Sequence, residues 1–197
     1  MNVYFPDVQA PFTGGFTVPS VLGLLASLIG GTNYTYALGD GTYQMSSLVM
    51  ASKQAMIVQG NAILYVTGDV NMSGQSYIYI QPGATLQLYV GGQTTIAGTG
   101  VSNPSGKAKA FQYFGLPTNK TVSFTGNSTF VGVIYAPAAD LTMSGGGSTV
   151  IDFVGASTTS TVNMTGSYNF HYDESLANTT DAFYVASSWD EMLPSEL

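Results

Sequence analysis

The densest group of reactive side chains is His171-Tyr172-Asp173-Glu174, which holds the only His of the chain. A His beside two carboxylates could supply a general acid/base pair or metal ligands. In an extended strand, however, His171 and Asp173 share one face while Glu174 points away. One imidazole and one carboxylate are too few donors for zinc without help from elsewhere. The motif therefore reads as structural, with His171 or Asp173 satisfying backbone groups where the fold ends and Glu174 starting a turn. The other carboxylates fare no better. Asp69, Asp140, Asp152 and Asp173 fall at varied phase with no Asp-Asp doublet, whereas glycoside hydrolysis needs a carboxylate pair. A polysaccharide lyase would need a cation and a basic residue, yet there is no Arg, and Lys53, Lys107, Lys109 and Lys120 are scattered. Gly145-Gly-Gly-Ser148 lacks the Asp of a calcium-binding repeat. With no Cys there is no thiol nucleophile, disulfide or Cys-based metal site. The expectation is a non-enzyme with no metal or cofactor.

Recognition chemistry is better represented, because the chain carries 13 Tyr. Tyr77 and Tyr79 alternate with Ile78 and Ile80, so both rings should face outward from a strand whose Ile residues point in. Tyr89, between Leu88 and Val90, would join them. Such a row could bind glycan or a partner subunit; equally, the rings could cover the wall beneath a terminal segment. Ser157-Thr-Thr-Ser-Thr161 raises an ice-binding reading, but the polar repeat positions mix Asn, Ser, Thr and Ala too irregularly for a lattice match. Six Asn-x-Ser/Thr matches (Asn33, Asn71, Asn119, Asn127, Asn163, Asn178) follow from composition.

Composition narrows the classes further. The chain has 197 residues, 45% hydrophobic but only 8% charged, with a net charge of −7. Its length suits one domain with a real core, and its hydrophobicity excludes disorder. Four scattered Lys leave no phosphate-binding footprint, so nucleic acid is not an expected partner.

The elements that position these residues are set by a repeat. A five-residue phrase recurs as Val70-Asn-Met-Ser-Gly74, Thr94-Thr-Ile-Ala-Gly98, Val122-Ser-Phe-Thr-Gly126, Leu141-Thr-Met-Ser-Gly145 and Val162-Asn-Met-Thr-Gly166. Its third residue is always large and apolar, and its alternation ends at Gly, as in a strand with one buried face. The glycines are spaced 24, 28, 19 and 21 residues apart; the 28 falls to 22 if Val101–Gly106 is a loop insertion. Between copies lie Ile63–Asp69, Leu86–Gly92, Val131–Pro137 and Val150–Ala156, each an apolar strand ending in or near Gly or Pro, and Ser76–Ile80 adds a third strand in at least one period. Short strands closed by turns and repeated every 20 or so residues describe a β-solenoid. Stacked rungs about 4.8 Å apart would bring like charges together, so low charge is expected of this architecture. An antiparallel sandwich or up-and-down barrel is the alternative, but hairpins do not require one phrase to recur in one order.

The only long apolar run, Val18–Ile29, is too short to span a bilayer. Its Val21, Leu22, Leu24, Leu25, Leu28 and Ile29 have helical spacing, with Pro19 near the start and Gly30-Gly31 as a stop. This predicts an amphipathic helix over about residues 19–29 that caps the column. Met1–Asp7 has no basic n-region, so no signal peptide is expected. Gly14-Gly15-Phe16-Thr17 opens like a type IV prepilin site, but Ser20 stands where that pattern has Glu.

Phe130-Val-Gly-Val-Ile-Tyr-Ala-Pro-Ala-Ala-Asp-Leu-Thr-Met-Ser-Gly-Gly-Gly147, followed by Phe170-His-Tyr-Asp-Glu-Ser-Leu176, resembles an uncharacterised bacterial β-helix domain family. That family reads G-x-I-Y-A-P-x-A-x-[LV]-x-[IM]-x-G and ends [FL]-H-Y-D-E-x-L. The likeness covers about residues 55–191, including Ser188-Trp189-Asp190-Glu191. It implies a right-handed parallel β-helix in large surface proteins or downstream of PilX-like pilus-assembly segments, with an extracellular or cell-surface location and no catalytic residues to carry over. The combined expectation is an all-β, single-stranded β-solenoid of about five to seven coils over residues 41–176. Residues 1–40 would hold the capping helix, and the tail 177–197, with Trp189, would pack back. Function would be structural or adhesive and non-catalytic; the alternative is a carbohydrate-binding or carbohydrate-active protein using its exposed Tyr. Expected partners are other protein subunits, cell-surface glycans or further copies end to end, with no membrane insertion.

Overall fold

In the computed structural model, the described residues are 5–22, 28–29, 31–126, 129–145 and 150–178. Four successive turns each contain three strands. They are β3 (Tyr36–Leu38), β4 (Gly41–Met45) and β5 (Leu48–Met50); β6 (Ala55–Val58), β7 (Asn61–Val66) and β8 (Val70–Met72); β9 (Tyr77–Ile80), β10 (Thr85–Val90) and β11 (Thr94–Gly98); and β12 (Gly100–Ser102), β13 (Phe111–Gly115) and β14 (Thr121–Gly126). Two 16-residue strands, β15 (Phe130–Gly145) and β16 (Ile151–Gly166), then each cover two sides of the column, and β17 (Tyr168–Tyr172) begins another rung. Among the described residues every ladder is parallel except a small antiparallel hairpin of β1 (Leu28–Ile29) and β2 (Thr32–Asn33). The protein is thus a β-solenoid of about six turns.

Three sheets result. Sheet I runs β4-β7-β10-β13 into the first halves of β15 and β16 and on to β17; sheet II runs β5-β8-β11-β14 into their second halves; sheet III holds β3-β6-β9-β12 and ends there. The repeated phrase is sheet II. Its third residues stack as Met50, Met72, Ile96, Phe124, Met143 and Met164, and the first five are buried. This column begins one copy earlier than the five glycine-ended phrases, at Leu48-Val-Met-Ala-Ser52. Facing it, Leu64, Leu88 and Tyr113 are in register on sheet I and fully buried. Burying each such side chain is worth about 1.5–3 kcal/mol.

The phrase-ending glycines are dictated by the distance between rungs. A Cβ on Gly98, Gly126, Gly145 or Gly166 would run into the carbonyl oxygen of the glycine one turn below. Gly98 also has φ +75°, a conformation costly for residues with a Cβ. Ser52 occupies the same place in the first turn at φ +56°, the one non-glycine with positive φ among the described residues.

Two expectations are corrected. The helix expected over about residues 19–29 is not supported: among the described residues, 19–22 have no regular secondary structure and Leu28–Ile29 are in a strand, while residues 23–27 lie outside the described ones. Val18 and Val21 are exposed, while Leu22 donates its N–H to the Thr35 carbonyl and packs on the outside of sheet III. Val101-Ser102, read as part of a loop insertion, belongs to β12 and pairs with Ile78 and Tyr79. The insertion starts at Asn103, whose side-chain amide donates to the carbonyls of Lys107 and Val131 and so ties off the end of sheet III. Among the described residues no helix is long and apolar enough to cross a membrane. The proposed tail contact and Trp189 lie outside the described residues.

Candidate binding surfaces

The three tyrosines singled out from sequence do not form one row. Tyr77 and Tyr79 lie on the outer face of sheet III, because β9 turns Ile78 and Ile80 inward. There they join Leu22, Tyr34, Ala37, Ala55 and Ile57 in a small apolar cluster. The Tyr34 and Tyr77 rings meet edge to face, with centroids 6.4 Å apart. Burial raises the pKa of the Tyr34 hydroxyl; the neighbouring Tyr77 adds to this and a hydrogen bond with Thr32 opposes it. Tyr89 lies around the corner on sheet I. The register stacks Tyr65, Tyr89, Phe114 and Tyr135 into an outward aromatic ladder, with Tyr89 and Phe114 face to face at 4.6 Å.

That ladder is partly covered. The N-terminal segment crosses the rungs of sheet I: Tyr135 donates its hydroxyl hydrogen to the Pro6 carbonyl at 2.8 Å, and Phe12 meets Tyr65 edge on at 6.0 Å. It then joins the first turn through a parallel bridge between Thr17 and Tyr43, and Thr42 donates its hydroxyl hydrogen to the Gly15 carbonyl. Val8 is buried along the way. The strap leaves Tyr89 half-buried, and burial raises the pKa of its hydroxyl.

Open concave surface lies instead at the corner between sheets II and III. A hollow of 540 Å³ there is lined by Thr32 and Asn33 of the hairpin, Lys53, Gln75 and Thr99 of successive corner turns, and Tyr77 and Ser102 of sheet III. A second hollow of 280 Å³, sharing Thr99 and Ser102, continues past the end of β12 to Asn103 and Thr129. Of these residues the sequence singles out only Tyr77 as a candidate ligand contact. A signal for the others was present: Gln75 and Thr99 each follow the phrase-ending glycine, and Lys53 follows Ser52 in the same position.

The residues of His171-Tyr172-Asp173-Glu174 take separate partners. His171 lies in β17 paired with Val154, and its Nε2 is 3.2 Å from Asp152 Oδ1, both side chains being about half exposed. Asp173 accepts the backbone N–H of Ala108 and of Ser175, each at 3.0 Å, pinning the closing 3₁₀ turn Glu174–Asn178 to the insertion loop. Burial pushes its pKa up, but the Ser175 hydroxyl, these backbone donors and the charge of Lys109 outweigh that and hold it below the ordinary carboxylate value. Leu176 then fills a pocket with Ala108 and Val133. Tyr172 and Glu174 are exposed.

Other carboxylates also bind the neighbouring rung rather than one another. Asp40 accepts the N–H of Asn61, Asp69 that of Gln93, and Asp140 the hydroxyl hydrogen of Thr161, each at 2.7 Å. Among the described residues no three His, Cys, Asp or Glu side chains come together as metal ligands would. Asn119, one of the Asn-x-Thr matches, is fully buried and donates to the Gly92 carbonyl.

No curated protein and no solved structure matches this chain. A family does: the domain of unknown function DUF7305 matches residues 23–179, which takes in every strand of the solenoid, and the protein belongs to that family.

Proposed function

We propose that this chain is a non-catalytic structural or adhesive module of a bacterial surface or pilus-associated protein. The observation that carries the reading is the use of its carboxylates. Asp40, Asp69 and Asp140 each hold the next rung, which spends ionisable groups on joining turns rather than on a reaction centre. Low charge and stacked identical residues suit a rigid rod that presents its sides. The coil is right-handed in this reading, as parallel crossovers almost always are. Partners are other subunits or cell-surface glycans, with copies of the column meeting end to end. Localisation tests the proposal: an antibody against the folded chain should label intact producing cells, and signal only after lysis would overturn it.

A second reading, a glycan-binding β-helix that uses exposed Tyr, is favoured by one specific observation. Tyr77 lines an open hollow among hydroxyl and amide side chains.

A further inference from the structure

We propose that the hollow at the corner of sheets II and III is a binding site for a neutral oligosaccharide, laid along the rungs. This rests on the adhesive form of the function proposed above and names its ligand class. The site exists because the solenoid changes shape beside it. Among the described residues sheet III stops at β12 and no strand lies on that side between β14 and β15, so the wall steps back and the 540 Å³ hollow opens onto the second one. Its volume lies within the roughly 300–1,000 Å³ usual for ligand sites. Lys53, Gln75 and Thr99 occupy equivalent corner positions on three successive rungs, about 4.8 Å apart. One rung is thus close to the length of one sugar in an extended glycan.

The lining matches the surface chemistry of a sugar. A pyranose offers a C–H face to an aromatic ring and a rim of hydroxyls to amides and hydroxyls. Tyr77 supplies the ring, and its edge contact with the buried Tyr34 holds it in place before any ligand arrives, which lowers the cost of ordering on binding. Asn33, Gln75, Thr32, Thr99 and Ser102 supply the polar rim. Among the described residues no carboxylate lines either hollow, and glycosidic cleavage needs a pair of them. Charge selects the class: Lys53 is the only cation there among the described residues, and the whole chain carries −7, a field that repels polyanionic glycans.

The test is an array of neutral and acidic glycans probed with the whole chain, followed by calorimetric titration of the best neutral oligosaccharide. Gln75→Ala and Tyr77→Ala should each weaken that binding at least tenfold. Thr95→Ala, exposed on sheet II, should leave it unchanged. Gln75 is exposed and outside the core, so Gln75→Ala separates lost binding from lost folding should Tyr77→Ala melt early. Absence of any neutral ligand, preference for acidic glycans, or full affinity in Gln75→Ala with folded Tyr77→Ala would overturn the proposal. Those results leave the surface location standing, whereas failed labelling of intact cells would leave glycan binding in the tube untouched.

Discussion

The lower four turns and the upper turns are written in the same phrase yet are built differently. Up to Gly126 each turn closes through three strands, and Leu38, Leu48, Met50 and Leu64 are fully buried from the first turn onward. From Phe130 the chain makes each turn with one long strand bent between sheets I and II; the register slips between Ala136 and Asp140, where Pro137 sits at the irregularity. The last of these rungs is open. Val162 and Phe170 are each 51% exposed, although Leu141, Phe130 and Phe153, their partners in the rungs before, are buried. Phe130, Phe153 and Phe170 stack at 4.8 and 4.7 Å, so the column of rings continues to the rung where burial fails. A repeat residue is therefore buried by the following rung, not by its own.

The sharpest test of this picture acts on the glycine column that both regions share. Gly98→Ala places a methyl against the Gly74 carbonyl in a backbone of positive φ. We expect a loss of more than about 3 kcal/mol or failure to fold, read by chemical denaturation. A loss below about 1 kcal/mol would mean that the rungs can spread, and that the glycines do not set their spacing. Next in size is a matched pair across the two regions. Leu64→Ala, in the three-sheet part, should cost about 2–5 kcal/mol, while Val162→Ala, on the open rung, should stay within about 0.5 kcal/mol. Equal costs would show that the last rung is covered in solution. If Val162→Ala becomes costly only as concentration rises, with a dimer in sedimentation, end-to-end stacking of columns is the cover. Smallest, and opposite in sign, is Ser52→Gly at the base. Relieving its positive φ should stabilise the chain by about 0.5–1 kcal/mol. A destabilised Ser52→Gly would separate the first turn from the glycine column above it.

The solenoid itself was legible because its repeat is local and exact in type: alternation points residues inward, and a shared phrase stacks in register. The outward direction of Tyr77 and Tyr79 followed from the same alternation. Their separation from Tyr89 did not, because period 2 says which side of a strand a residue faces but not which sheet the strand joins. The expected helix failed for a related reason. Leu22 bonds to Thr35 and joins the cluster around Ile57 on sheet III, and contacts to such distant segments carry no local signal. The insertion was placed two residues early because Val101-Ser102 lacks the phrase and is a strand only by pairing with Ile78-Tyr79. The groove residues were scattered along the chain as Thr32, Lys53, Gln75 and Thr99, and no motif joins them.

By itself, then, the sequence determined a charge-poor column of parallel rungs, its inward residues and its glycine corner, since each depends on side-chain period and on like residues stacking at one spacing. The tertiary structure alone decided that sheet III ends at β12, that the N-terminal strap crosses the Tyr65–Tyr135 ladder, and that the open surface lies at the Lys53–Gln75–Thr99 corner. Those outcomes depend on contacts between distant segments, where burial by a neighbour outweighs the weak preferences of the local chain.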